Sequence, residues 1–217
     1  MTTPAFATTI FDVDSTISGI EGVDWLAARR SSAVAREVAA VTDKAMRGEI
    51  ALEQVYGRRL DLVRPTRGDI DALGRAYVDA IAPGARDVIQ ALLAAGVTVK
   101  VVSGGLRPAL LFLAEHLGVA AENLYAVDVS FDAQGLYAGY ESSSLLATSN
   151  GKGTLVDSLR LLRPILAVGD GSTDLAMKPA VDRFVCFTGF ARREAVVAQA
   201  DASTDSFEQI RQMVLAT

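Results

Sequence analysis

The sequence predicts an α/β fold, with a parallel β-sheet, helices on both of its faces and a helical segment inserted after the first strand. Two observations support this prediction. From Pro83 onward, strand and helix patterns alternate, as they do in parallel sheets. Before that point there is one strand pattern, Thr8–Phe11, followed by helical periodicity from 22 to 77. An isolated strand has no partner, so we expect Thr8–Phe11 to join the later strands.

The inserted segment contains three or four helical patterns and no strand pattern. Apolar residues recur at helical spacing over 33–46, 51–63 and 69–80, and Pro65 separates the last two stretches. A helical insertion directly after the first strand would lie above the carboxyl ends of the strands, where ligands bind in such sheets.

The remaining elements follow from apolar periodicity and from the Gly and Pro residues that bound them. A β-hairpin is also expected around Asp132-Ala133-Gln134-Gly135. The predicted helices cover 84–95, 106–117, 152–162, 173–177, 192–198 and 206–215; the predicted strands cover 97–102, 165–168 and 184–187; the hairpin arms cover 124–131 and 136–140.

Composition excludes several classes of protein. Of the 217 residues, 50% are hydrophobic and 22% are charged, which is typical of a globular domain. The net charge of -5 provides no basic surface for nucleic acid. The longest uncharged run of the body, between Asp87 and Lys100, is too short to span a membrane. A single cysteine, Cys186, and an N-terminal stretch without Lys or Arg lead us to expect a cytoplasmic protein. We expect it to be a monomer or a homodimer.

Four polar stretches end predicted strands or begin predicted helices. In a parallel sheet they would converge at the carboxyl edge of the strands. They are Asp12-Val13-Asp14-Ser15-Thr16, Ser103-Gly104-Gly105, Gly151-Lys152-Gly153 and Gly169-Asp170-Gly171-Ser172-Thr173-Asp174.

Asp12 and Asp14 are two residues apart in extended chain, so their side chains point the same way. Neighbouring carboxylates repel each other unless a cation or a proton lies between them. A magnesium ion shared with Asp170 would meet this need. Taken alone, the pair is equally typical of turn or helix-capping aspartates.

Ser103 and Lys152 are candidates for holding a phosphate. A hydroxyl followed by Gly104 and Gly105 before a helix suits a phosphate oxygen, although a simple Ser N-cap fits the same pattern. Lys152, at the start of a predicted helix, opposes the helix dipole unless an anion or an aspartate compensates its charge. The alternative interpretation is that Lys152 is an ordinary lysine exposed to solvent.

Together, the four stretches resemble the motifs of haloacid-dehalogenase-superfamily phosphatases in order and spacing. The likeness is to the phosphoserine phosphatase branch. It is carried further by Glu21-Gly22-Val23-Asp24, Leu52-Glu53-Gln54, Arg58-Arg59-Leu60 and Tyr137-Ala138-Gly139-Tyr140. The fold that this resemblance implies is a Rossmann-like core over 1–17 and 82–217, an inserted helical cap over 18–81 and a small β-hairpin flap over 127–141.

The resemblance also implies a role for each motif residue. Asp12 would be the nucleophile that forms an aspartyl-phosphate, and Asp14 the general acid and base. Magnesium would be held by the carboxylates of Asp12 and Asp170 and by the carbonyl of Asp14. The phosphoryl group would be held by Ser103, Gly104, Lys152 and Thr173, with Asp174 orienting Lys152.

In the cap, the resemblance implies two residues that bind the opposite charges of a zwitterionic substrate. Glu21 would bind the substrate ammonium and Arg59 its carboxylate, with Arg58 as the alternative if the register shifts by one. Met46 and Leu52 stand where the family lines the pocket with apolar groups. Leu52 departs from the family pattern, which often has an aromatic residue at this position. Arg192 and Arg193 are interpreted as surface charges, although one of them could close over the site.

The implied function is a magnesium-dependent phosphomonoesterase that converts O-phospho-L-serine to L-serine and phosphate in serine biosynthesis. The alternatives are a phosphatase or phosphotransferase of the same superfamily acting on another small phosphomonoester, and a non-catalytic binding module on the same fold. Intact Asp12, Asp14, Lys152 and Asp170 disfavour the last of these.

Overall fold

The structure is a computed structural model that describes residues 3–47 and 49–215. Eight strands lie in two sheets, and most helices fall where periodicity predicts them. The strands are β1 (Thr8–Phe11), β2 (Thr98–Leu106), β3 (Leu124–Val127), β4 (Val129–Phe131), β5 (Tyr137–Tyr140), β6 (Ile165–Gly169), β7 (Arg183–Phe187) and β8 (Ala202–Thr204).

The α-helices fall into two groups along the chain. Four lie between β1 and β2, namely α1 (Gly22–Ala28), α2 (Ser32–Met46), α3 (Tyr56–Val63) and α4 (Arg67–Asp79). The others are α5 (Ala85–Ala94), α6 (Arg107–Leu117), α7 (Gly151–Ser158), α8 (Ser172–Leu175), α9 (Glu194–Val197) and α10 (Phe207–Leu215).

The main sheet has six parallel strands in the order β3-β2-β1-β6-β7-β8, which confirms the predicted α/β fold. Along the chain, strands are added on one side from β1 to β3 and on the other side from β6 to β8. Right-handed crossovers therefore place α5 and α6 on one face and the short helices after β6 on the other. The order reverses between β1 and β6, so the chain has a topological switch point there.

The register of β1 explains why the polar stretches that follow the strands can meet at one edge of the sheet. Phe11 aligns with Val101 of β2 and with Val168 of β6. Every residue of β1 and of β6 is buried, so these central strands are fixed by packing on both faces. The polar residues that follow each strand therefore leave the sheet at one edge.

Two of the four α-helices described in the insertion, α2 and α4, begin at side-chain caps. Thr66 starts α4 with a capping box: its hydroxyl accepts the Asp69 N–H at 3.2 Å, and its own N–H donates to Asp69 Oδ2 at 2.9 Å. Ser31 caps α2 by accepting the Val34 N–H. A 3₁₀ turn, Leu52–Gln54, precedes α3. The prediction of three or four helices without a strand is confirmed for this segment.

Four details of the prediction were wrong. The arm 124–131 divides into β3, which joins the main sheet, and β4, which pairs antiparallel with β5; continuous alternation hides this change of sheet. Strand β8, a short polar segment, was missed. Ser103-Gly104-Gly105 lies inside β2 rather than at a helix start, since β2 continues to Leu106. Helix α7 ends at Ser158, and Arg160 is left-handed with φ 45°.

In the described part of the chain, we find no helix with the length and apolar character needed to cross a bilayer.

Candidate active site

Lys152 is the centre of a buried charge cluster at the carboxyl edge of the sheet. Its Nζ lies 2.5 Å from Asp12 Oδ1 and 2.6 Å from Asp174 Oδ1. Asp12 directly follows β1, Lys152 lies in the first turn of α7 and Asp174 lies in α8, so three separate segments meet. At most 5% of the surface of each residue is exposed. A lysine here is a buried ion pair rather than a solvated surface charge.

The pKa values of this cluster follow from burial and charge. Burial, helped by the charge of Asp174, raises the pKa of Asp12 to about 7 against the opposing effect of Lys152. Burial alone would lower the pKa of Lys152, but the charges of Asp12 and Asp174 outweigh it and raise that pKa. Lys152 is therefore a permanent cation, whereas the charge of Asp12 depends on its surroundings.

Asp174 is fully engaged by its neighbours. Its Oδ2 accepts the backbone N–H groups of Asp170 at 3.0 Å and Gly171 at 2.9 Å, while Oδ1 accepts Lys152. The carboxylate packs so closely on Gly169 that a Cβ there would lie 2.3 Å from Asp174 Cγ. Asp174 thus fixes both the turn after β6 and the direction of Lys152.

Three buried aspartates, Asp12, Asp170 and Asp174, each place one carboxylate oxygen within 4.8 Å of the others, a geometry suited to a metal ion. Asp174 is occupied by its hydrogen bonds, whereas Asp12 and Asp170 are the two members that line the pocket. Asp170 Oδ1 accepts the Thr16 hydroxyl at 3.3 Å, and Oδ2 forms an ion pair with the Arg193 guanidinium. The site therefore attracts a cation.

Asp14 lies beside this cluster and lines the same pocket. Its Oδ1 accepts the Tyr77 hydroxyl at 2.6 Å, and its Oδ2 accepts the Gly22 N–H at 3.2 Å. Burial, together with the charges of Glu21 and Asp12, holds the pKa of Asp14 well above its usual range. A raised pKa favours the protonated form of this carboxyl group, which is the form that can donate a proton.

Ser103, Gly104 and Thr173 line the same pocket as Asp12, and both hydroxyl residues are buried. The Ser103 hydroxyl accepts the Gly105 N–H at 3.0 Å. The Gly104 carbonyl accepts the hydroxyl of Tyr56, a residue of α3, at 2.7 Å. The strand that carries Ser103 is thereby joined directly to the helical insertion.

The helical insertion contributes an acidic and a basic group to the pocket. Glu21 accepts the Ser15 hydroxyl at 2.7 Å, and burial raises its pKa. Arg59 lies on the buried face of α3, where one of its nitrogens is 3.4 Å from Asp24 Oδ2. Its Nε is buried and has no hydrogen-bond partner among the described residues. Arg59 therefore has donor capacity left for a ligand.

The adjacent arginine points away from the pocket. The Arg58 side chain is 68% exposed and pairs with Glu37 at 2.7 Å. Leu52 is buried and lines the pocket. The residue at this position therefore contacts the pocket although it is not aromatic. The side chain of Met46 lies outside the part of the chain that the structure describes.

The sequence interpretation missed two site residues and left a third open. Tyr56 and Tyr77 bind Gly104 and Asp14 from helices far away in the chain, and no local pattern indicates those contacts. Arg193 was interpreted as a surface charge, with closure over the site as the alternative; its side chain is 14% exposed and lies between Asp170 and Glu21, which fits the alternative. Arg192, by contrast, is exposed and pairs with Glu194, as expected. Arg193 shows no sequence signal beyond its nearness to the motif edge.

Comparison with known proteins matches this arrangement to a family. The model of haloacid dehalogenase-like hydrolases matches residues 9–178. The chain is 33% identical to the chloroplastic phosphoserine phosphatase of Arabidopsis thaliana over 92% of its own length and 69% of the relative. It is 33% identical to phosphoserine phosphatase of Homo sapiens over 86% of its length and 83% of the relative.

A solved structure supports the same assignment. It is a phospho-aspartyl intermediate analogue of phosphoserine phosphatase, with a TM-score of 0.80 and 26% identity, and the match covers 96% of this chain and 98% of the other. The family model covers most of the chain, and these relatives are 33% identical to it over 69% and 83% of their own length, which establishes the family. The chain belongs to the haloacid dehalogenase-like hydrolases and, within them, to the family of phosphoserine phosphatases.

Proposed function

We propose that this protein hydrolyses O-phospho-L-serine to L-serine and phosphate through an aspartyl-phosphate on Asp12. The observation that carries the proposal is one pocket lined by Asp12, Asp14 and Lys152 on the sheet side and by Glu21 and Arg59 on the helical side. The first group suits phosphoryl transfer, and the second suits a zwitterion. The relatives named phosphoserine phosphatase support the same reaction.

In this mechanism a carboxylate oxygen of Asp12 attacks phosphorus, and the bond from phosphorus to the serine oxygen breaks. Asp14 gives its proton to the departing oxygen and then removes a proton from the water that hydrolyses the intermediate. Lys152 lies 2.5 Å from Asp12, so its charge is in place to stabilise the phosphoryl oxygens. Ser103, the Gly104 N–H and Thr173 would hold those oxygens from the other side.

The residues present fit a magnesium ion. Carboxylates are hard oxygen ligands, and the buried carboxylates of Asp12 and Asp170 both line the pocket, with oxygens within 4.8 Å of each other. We propose that Asp12, Asp170 and the Asp14 carbonyl would hold Mg²⁺. The ion would neutralise charge that develops on the phosphoryl group.

Substrate choice would come from the cap. Glu21 offers a carboxylate to the substrate ammonium, and Arg59 offers its unpaired Nε to the substrate carboxylate. Arg58 is turned to solvent, which favours Arg59 for this contact.

We accordingly propose 18–81 as the substrate-selecting cap, 1–17 and 82–217 as the core and 127–141 as the flap. A cytoplasmic monomer or homodimer stays a prediction of the sequence.

Phosphate release from a panel of small esters tests the proposal. The panel contains L- and D-phosphoserine, phosphothreonine, phosphoethanolamine, 3-phosphoglycerate and a sugar phosphate, each with and without magnesium. We expect magnesium-dependent release with the highest kcat/KM on L-phosphoserine and a much lower value on phosphoethanolamine, which lacks the carboxylate. Equal values across the panel would keep the phosphatase chemistry and overturn the substrate. Consumption of the ester only when an acceptor alcohol is added, with the phosphoryl group recovered on that alcohol and not as free phosphate, would instead indicate a phosphotransferase.

A further inference from the structure

Tyr77 connects the helical insertion to the proton-transfer residue of the site. It lies in α4 and is among the largest fully buried side chains of the protein. Its hydroxyl donates to Asp14 Oδ1 at 2.6 Å across 63 residues of sequence. Burial raises the pKa of Tyr77, so the hydroxyl keeps its proton and remains a donor.

The space around this hydroxyl is shaped to receive it. A Cβ at Gly22 would lie 2.0 Å from the Tyr77 oxygen, and one at Gly105 would lie 3.4 Å from it. The backbone of Tyr77 is held as well, because the Ser18 hydroxyl donates to its carbonyl at 3.1 Å. Ser18 in turn bridges to Asp14 and to Ile81, where the chain enters and leaves the insertion. The tyrosine is thus fixed at both ends.

Both oxygens of Asp14 are held by the insertion. Tyr77 binds Oδ1, and the Gly22 N–H at the start of α1 binds Oδ2 at 3.2 Å. A carboxyl side chain can otherwise rotate about its terminal bond, which is broad and weakly restrained. The two contacts therefore select one orientation of the carboxyl group, and that orientation depends on helices outside the sheet.

We propose that Tyr77 is a positioning residue that orients Asp14 for proton transfer to the departing oxygen of the substrate, an inference that rests on the proposed function. As the bond between Asp12 and phosphorus forms, the bond from phosphorus to the substrate oxygen breaks. The proton moves from the Asp14 carboxyl group to that oxygen, which leaves an alcohol and an Asp14 carboxylate. Tyr77 keeps its own proton throughout and contacts neither substrate nor phosphorus.

The test compares two leaving groups in Tyr77→Phe. Phosphoserine must leave as an alcohol and needs the proton, whereas p-nitrophenyl phosphate leaves as a stable phenolate and does not. We expect kcat/KM to fall roughly 10- to 100-fold on phosphoserine and less than about threefold on p-nitrophenyl phosphate, since general acid catalysis contributes only to the first reaction. The value of kcat/KM is the right readout because it ends with the departure of the first product.

Two further variants keep the result interpretable. Tyr137→Phe removes the hydroxyl of another buried tyrosine outside the pocket and should leave both activities unchanged. Gly22→Ala drives a methyl group into the Tyr77 hydroxyl and should reproduce the selective loss, which decides the matter if Tyr77→Phe does not fold.

The outcomes separate the inference from the proposed function. Equal losses on the two esters, or no loss on phosphoserine, would overturn the role of Tyr77. If the wild-type protein hydrolyses another alkyl phosphate better than phosphoserine, the substrate is wrong, and that ester takes the place of phosphoserine in the same comparison. A wild-type protein inactive on every ester would overturn the proposed function and this inference together.

Discussion

Asp12 is the residue on which the chemistry depends. It lies 2.5 Å from a permanent ammonium group, and it is one of the two clustered aspartates that line the pocket. Asp12→Asn keeps the shape of the side chain but removes its nucleophilic oxygen, so we expect phosphate release to fall at least about 10³-fold. A phosphate assay under saturating substrate and magnesium measures this fall.

Asp157→Asn provides the matched control for Asp12→Asn, because Asp157 is exposed on α7 outside the pocket. This control should keep full activity. Turnover by Asp12→Asn within tenfold of the wild-type rate would contradict a covalent intermediate on this residue.

Arg59 and Arg58 form a natural pair for testing substrate recognition. Arg59 is buried at the pocket with an Nε that has no hydrogen-bond partner in the described part of the chain, whereas Arg58 is exposed and bound to Glu37. Hydrogen bonds to charged groups contribute about 1.5–3 kcal/mol, so Arg59→Ala should lower kcat/KM on phosphoserine roughly 10- to 100-fold. It should spare p-nitrophenyl phosphate, which has no carboxylate, and Arg58→Ala should spare both esters. Equal loss on both esters in Arg59→Ala would make Arg59 a structural residue.

At the scale of elements, the start of α4 carries a measurable part of the stability. The Thr66 hydroxyl and Asp69 satisfy each other's backbone donors, and Asp69 also pairs with Arg30 at 2.6 Å. Thr66→Ala should lower the free energy of unfolding by about 1 kcal/mol, the usual cost of losing an N-cap. Urea denaturation measures it. Thr154→Ala, at an exposed position of α7, is the control and should change stability little; equal effects would contradict the capping interpretation.

Elements with strong periodicity were predictable, whereas short or irregular ones were not. The insertion and the central strands show long apolar patterns, and the fold class follows from their order. Strand β8 has only three residues, one of them an exposed serine, so no pattern marks it. The division at Asp128 was equally hidden, because alternation continues while the chain moves from one sheet to another.

The residues of the candidate site likewise fall into those that the sequence predicts and those that it does not. Residues within a motif were predictable because strand ends converge at one edge of a parallel sheet. Tyr56, Tyr77 and Arg193 were not, because their partners lie far away in the sequence and depend on how the insertion packs. The choice between Arg58 and Arg59 likewise needed the register of α3, which places only Arg59 on the buried face.

At the scale of the whole molecule, metal binding should be coupled to pH. Burial raises the pKa of Asp12 to about 7, so near neutral pH a proton and a cation compete for this carboxylate. Below that pH the group is mostly protonated, and metal binding must release the proton. Magnesium affinity should therefore rise between pH 6 and pH 8, by up to about tenfold per pH unit on the acidic side.

Calorimetric titration of magnesium at these pH values, in buffers of different ionisation enthalpy, measures both the affinity and the protons released. Asp157→Asn should show the wild-type dependence. An affinity that does not change with pH, without proton release, would contradict a metal site that includes Asp12.

The most direct measurement is exchange of labelled L-serine into phosphoserine during turnover. If Asp12 carries the phosphoryl group while serine can still occupy the pocket, added serine can take that group back. We predict labelled phosphoserine in the presence of magnesium, none with Asp12→Asn, and much less with Arg59→Ala. Net hydrolysis of phosphoserine with no labelled phosphoserine formed would contradict an aspartyl-phosphate that serine can reach.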